Sequence, residues 1–202
     1  MAAGRNAGRE IILGTPVAEV PDSCKVIGFD CSSKTVGWGL VRFNKHHAIL
    51  TAHGHIRPLP SKHNLMVRLS DLYDRVDELC RRMMPDIAAV EDIALFMKGG
   101  GSTAKTITTL AVFNRIVSLA AFRRTGDLRY YPVQSVRKLV RQAALRKKVI
   151  GKNEMPAVIR ARLEPGFVDV EKRGGGTAEQ TFDEADGIAV AWACAYDIRS
   201  KT

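Results

Sequence analysis

The chain has 202 residues, 46% hydrophobic and 26% charged, a composition that suits one folded domain with its own core and excludes a coiled coil, a collagen-like fibre or a wholly disordered chain. No apolar run approaches the roughly 18 residues that a membrane span needs, so no membrane partner is expected. Lys and Arg number 31 against 21 Asp and Glu, and the net charge of +10 favours a polyanionic partner, nucleic acid foremost, over mere solubility.

Residues 1–24 lack the apolar stretch of a secretory signal and mix Arg5 and Arg9 with Glu10, Glu19 and Asp22. They are expected to form a poorly ordered lead-in, with an organellar presequence as the alternative. Regular structure is expected from Lys25. KVIGFD is a short apolar strand ending in an acid, CSSKTVG a turn, WGLVRF a second strand and HAILTAHGHIRPL a third: an antiparallel meander. Leu65, Leu69, Leu72, Val76, Leu79 and Met83 recur every three or four residues and predict a helix over 64–84, stopped by Pro85. DIAAVED reads as a buried strand ending in acids. GGGST, residues 99–103, is a loop whose Ser102 or Thr103 caps a helix running to about Arg123 and ended by Gly126. LRYYPV is another strand and VQSVRKLVRQAAL another helix. A short helix near Asn153 accommodates Pro156 in its first turn. RGGGTAEQ is a loop, and FDEADGIAVAWACAYDIR is an apolar-faced helix that opens with acids. The order describes one mixed α/β domain over 25–202.

Cys24, Cys31, Cys80 and Cys194 are scattered, with no zinc spacing, so reduced thiols and a reducing compartment such as the cytoplasm are expected. The histidines add little beyond a single metal ligand; His53 and His55 straddle a Gly. Positive charge is concentrated. Between 123 and 152 stand Arg123, Arg124, Arg129, Arg137, Lys138, Arg141, Arg146, Lys147, Lys148 and Lys152 against one acid, Asp127.

Four carboxylates occupy positions where chemistry is common. Asp30 ends the first strand, Glu91 ends the fourth, and Asp183 and Asp186, three apart, share a face at the start of the last helix. If the two strands are neighbours, an acidic cluster results. Its repulsion is relieved by a hard cation such as Mg²⁺, which also binds substrate phosphates. Each acid has a plainer role as well: Asp30 as a turn cap, Asp183 and Asp186 as complements to a helix dipole, Glu91 and Asp92 as a solvated strand end.

The segments VIGFDCSSKTVGWGLV, LSDLYDRVDELCRRMMPDIAAVEDIALFM, GSTAKTITTLAVFNRIVSLAA and FDEADGIAVAWA, in this order over residues 25–198, resemble the RuvC-type Holliday junction resolvases of the RNase H-like nuclease superfamily. The resemblance implies an RNase H-like α/β fold: a mixed five-stranded sheet, its first three strands antiparallel, flanked by helices. It implies catalysis at Asp30, Glu91, Asp183 and Asp186, holding two Mg²⁺ ions with Mn²⁺ as the substitute. The partner it implies is branched DNA, a four-way junction, and the assembly a homodimer. The helix over 102–122 is the expected dimer contributor, through Ile107, Leu110, Ala111, Ile116, Val117, Leu119 and Ala120. The family's DNA-contacting aromatic is matched most nearly by Phe96, near Lys98. Its phosphate-assisting basic residue falls in the region of Lys148 and Lys152. The basic stretch, with Arg137, Lys138, Arg141, Arg146 and Lys147, would hold the junction arms.

The chain departs from the family in three places, one of them the run between Arg137 and Asn153, which is longer and more basic than usual. Cys31-Ser32 stands where many members have Pro-Gly, and Asp92 stands where an amide is frequent. A nuclease acting on RNA or an RNA–DNA hybrid and a catalytically silent branched-DNA binder are the competing readings. A sugar-kinase-like or actin-like ATPase would need about twice this length.

Overall fold

The computed structural model describes residues 12–13, 23–93, 104–148, 150–163, 167 and 179–201. The strands are β1 (Ile12–Leu13), β2 (Cys24–Cys31), β3 (Val36–Phe43), β4 (Ala48–Ile56), β5 (Ile87–Asp92) and β6 (Leu128–Pro132). The helices are α1 (Leu65–Met83), α2 (Ala104–Thr125), α3 (Val133–Ala143), α4 (Met155–Arg162) and α5 (Glu179–Arg199).

Five principal strands form the expected mixed sheet in the order β4-β3-β2-β5-β6, and the two-residue β1 extends it beside β4. β2, β3 and β4 pair antiparallel, whereas β5 is parallel to both β2 and β6. β4 ends at Ile56, short of the expected Leu59, because Pro58 supplies no ladder donor.

Helices cover both faces, so the central strands are apolar on both sides. Ile27, Phe29, Ala88 and Val90 pack under α1 and α2, while Val26, Val41, Ile87 and Ala89 pack under α3, α4 and α5. The α1 stripe behaves as its spacing predicts: Leu69, Leu72, Val76 and Leu79 are buried. Asn64 caps the helix by accepting the Met66 amide at 2.8 Å, and Met84 ends it in the left-handed region, ahead of Pro85.

α5 is the central helix, buried along Ala185 and Ile188–Ala195. Its small residues let it sit directly on the sheet. Gly37 of β3 and Gly187 of α5 face each other so closely that a Cβ on Gly37 would overlap the Asp183 carbonyl, and one on Gly187 would fall 2.5–2.6 Å from the Gly37–Trp38 backbone. The acid-bearing end of α5 is thereby pressed against the sheet.

Candidate active site and nucleic-acid interface

The β2–β5 register pairs Phe29 with Val90, so Asp30 and Glu91 occupy the next level of adjacent parallel strands. Across β2, Asp30 pairs with Gly37, on which the Asp183 backbone rests. Alternation along the strands puts Asp30 and Glu91 on the face covered by α5. One register level therefore carries Glu91, Asp30 and the end of α5 that holds Asp183 and Asp186. Asp30, Glu91, Asp183 and Asp186 are all half-buried. Burial, then the nearby Asp30 and Glu91 carboxylates, push the Cys31 thiol well above its ordinary range, as expected of a thiol between two strand-end acids. Among the described residues no three His, Cys, Asp or Glu groups already stand in metal-holding geometry. The case for a metal rests on the register and on the donor set, which is all carboxylate oxygen and so suited to a hard divalent cation.

Ser32 organises the turn after β2: its hydroxyl accepts the Lys34 and Thr35 amides at 3.2 and 2.9 Å and donates to the Thr35 carbonyl at 2.8 Å. The Cys31-Ser32 departure thus keeps a tight turn. The nine-tenths-buried Arg68 holds that turn from outside, donating to the Ser33 and Leu59 carbonyls at 3.0 and 2.7 Å and stacking on Phe113. α5 begins at Glu179, earlier than the expected Phe182, so Asp183 and Asp186 lie beyond the first turn, where the helix dipole fades. Asp92 is drawn off by Arg115 of α2, 3.4 Å away, whose guanidinium stacks on Tyr130. Buried Asn114 donates to the Glu91 carbonyl at 2.9 Å and ties α2 to the same strand end.

The basic stretch divides. Arg124 pairs with Asp77 of α1, and Arg129 with Asp127 at 3.1 Å, so these charges serve the domain itself. Arg123 stands in the last turn of α2, and the others lie on α3 and in the segment after it. β6 pairs Tyr131 with Glu91, and α3 starts immediately beyond, so Arg137, Lys138 and Arg141 rise from the carboxylate edge. Lys138, Lys147 and Lys148 are exposed, and Arg146 lies 3.8 Å from Glu154. Lys152 opens a short 3₁₀ turn, Lys152–Glu154. Phe96, Lys98 and the Ser102/Thr103 cap lie outside the described residues.

A group not foreseen from the sequence completes this region. Glu184, between the two helix acids, is buried and meets His53 and His55 of β4 at 2.9 and 2.7 Å. The signal was the His-Gly-His spacing, which puts both imidazoles on one face of a strand.

Strand-end acids on parallel neighbours under a central helix, in this strand order, define an RNase H-like nuclease domain. The model of the family described as crossover junction endodeoxyribonuclease RuvC matches residues 26–153, a span that includes Asp30 and Glu91 but not Asp183 or Asp186. A crossover junction endodeoxyribonuclease RuvC of Chloroflexus aurantiacus is 31% identical over 173 residues, covering 85% of this chain and 93% of that protein. One of Rubrobacter xylanophilus is 30% identical over 189 residues, covering 93% and 91%. The chain belongs to the RuvC family, whose nuclease activity depends on a divalent metal. The fold is also that of Thermus thermophilus RuvC in complex with Holliday junction substrate, with a TM-score of 0.64 at 18% identity over 88% of this chain and 96% of that one. No helix among the described residues is long and apolar enough to cross a membrane.

Proposed function

We propose that this chain resolves four-way DNA junctions by paired symmetric nicks, each made by phosphodiester hydrolysis at Asp30, Glu91, Asp183 and Asp186. The observation that carries the reading is the shared register level of Asp30 and Glu91 beneath the acid-bearing end of α5, with basic α3 leaving the same sheet edge. The four carboxylates would hold two Mg²⁺ ions, with Mn²⁺ as a substitute. Ions bound there would supply water activation and charge stabilisation at the departing 3′ oxygen.

The rest is the work of side chains. Arg137, Lys138, Arg141, Arg146 and Lys147 contact phosphates of the junction arms, which positions the DNA without reading its sequence. Lys148 or Lys152 neutralises charge developing on the scissile phosphate. Phe96 and Lys98 would supply an aromatic and a basic contact to DNA near the crossover. Two copies related by a two-fold axis would present two equivalent sites to a four-way junction. Leu119 and Phe122 of α2, 50% and 47% exposed, offer that contact, whereas Val117 and Ala120 belong to the core.

The test is cleavage of a synthetic four-way junction with a mobile core, beside linear duplex and an RNA–DNA hybrid, in Mg²⁺. Paired symmetric nicks on the junction, abolished in Asp30→Asn with binding retained, are expected. Binding without nicks in either Mg²⁺ or Mn²⁺ would indicate a silent branch binder, and preferential cutting of the hybrid an RNA-directed nuclease.

A further inference from the structure

β4 presents two histidines to the face that α5 covers. In the β3–β4 register His53 lies opposite Gly39 and His55 opposite Gly37. Those positions have no side chains, so α5 settles onto β3 and the imidazoles reach the helix from the next strand. His53 Nδ1 stands 2.9 Å from one Glu184 oxygen and His55 Nδ1 2.7 Å from the other, with the three side chains only 9–10% exposed. The Phe167 ring meets His53 edge-on, with centroids 4.9 Å apart, and closes the flank.

A buried carboxylate is costly, and an apolar side chain would fill this space without that cost. What the carboxylate adds is geometric definition. The close contact of Gly187 with Gly37 sets how deeply α5 sits but, having no side chains to interlock, does little to fix rotation about the helix axis. Two hydrogen bonds, one to each oxygen of a single carboxylate, fix that rotation within the narrow range such bonds allow. Because Glu184 lies between Asp183 and Asp186, setting its azimuth sets theirs.

We propose that His53 and His55 are positioning residues: by clamping Glu184 from β4 they set the rotation of α5, and so the placement of Asp183 and Asp186 against Asp30 and Glu91. The proposal rests on the metal-site reading above.

Its test is Mn²⁺ binding to the full chain, read from the paramagnetic resonance of free Mn²⁺, with thermal unfolding in EDTA recorded alongside. His53→Ala and His55→Ala are expected to weaken Mn²⁺ binding about tenfold, the usual scale for residues that orient ligands. The pair His53→Gln with His55→Gln, which keeps an N–H donor at each position, should recover most of that loss. Val76→Ala, which opens a cavity in the opposite core, should lower the melting temperature but leave Mn²⁺ affinity within about twofold. If an alanine variant fails to fold, Glu184→Gln and the glutamine pair carry the comparison, with a loss of about tenfold expected for Glu184→Gln. Clamp variants that lose stability as Val76→Ala does but bind Mn²⁺ like the parent overturn the proposal while leaving the carboxylate site intact. A parent no better than Asp30→Asn at binding Mn²⁺ overturns the site itself, and the clamp with it.

Discussion

Burial and the neighbouring Asp86 carboxylate raise the Cys24 thiol to about 11; burial and Asp77 raise Cys80 to about 12; burial, the largest influence on Cys194, raises it to about 11. A raised thiol is neutral, and only the thiolate reacts. At pH 8 a group of pKa about 11 is roughly one part in a thousand thiolate. Maleimide labelling followed by mass spectrometry should therefore find native Cys80 and Cys194 unreacted, with half-buried Cys24 labelled first. Labelling of Cys24 should quicken about tenfold per pH unit from 8 to 10, as its thiolate fraction grows. Fast labelling of Cys80 at pH 8 would contradict its burial on the packed face of α1. The same scale explains how Ser32 replaces the glycine turn common in the family: its hydroxyl supplies the turn's hydrogen bonds.

The contact between α5 and the sheet has no slack at Gly37. Gly37→Ala puts a methyl group against the Asp183 carbonyl, so the helix must lift. Overpacking of this kind costs about 1–3 kcal/mol, to be read by urea denaturation, and metal-dependent nicking should fall far more than stability does, because the displaced element carries Asp183. α3 is the element proposed for DNA contact. Replacing Arg137, Lys138 and Arg141 together by Gln should weaken junction binding and lower the slope of log affinity against log salt by about three, roughly one per phosphate contact. An unchanged slope would place the phosphate contacts elsewhere.

At the scale of the molecule, charge and apolar exposure divide the surface. Basic α3 lies beside the carboxylate edge, while Leu119 and Phe122 stand on α2 across the sheet, among the large exposed apolar residues. The proposed dimer uses that second face. Leu119→Asp with Phe122→Asp should give a monomer in sedimentation equilibrium and convert paired nicking into independent single nicks, while Asp30-dependent cleavage itself persists. A dimer that survives both substitutions would move the interface off this face.

The five principal strands, the helix spacing of 65–83 and the four candidate carboxylates follow from the residues alone, because apolar periodicity and strand-end acids are local patterns, whereas β1 falls within the expected lead-in and is not foreseen. Local patterns also explain what the sequence left open. The pairing of β2 with β5, which joins Asp30 to Glu91, is a contact between residues far apart in the chain. The basic run between 123 and 152 reads as one patch along the chain, but in space Arg124 turns to Asp77 on α1 and Arg129 to Asp127, leaving α3 and its following turn beside the site. The bond between His53, His55 and Glu184 spans about 130 residues and depends on two glycines of a third element, Gly37 and Gly39. Spacing in one dimension carries no record of such a meeting, because it exists only once α5 has been laid across the sheet.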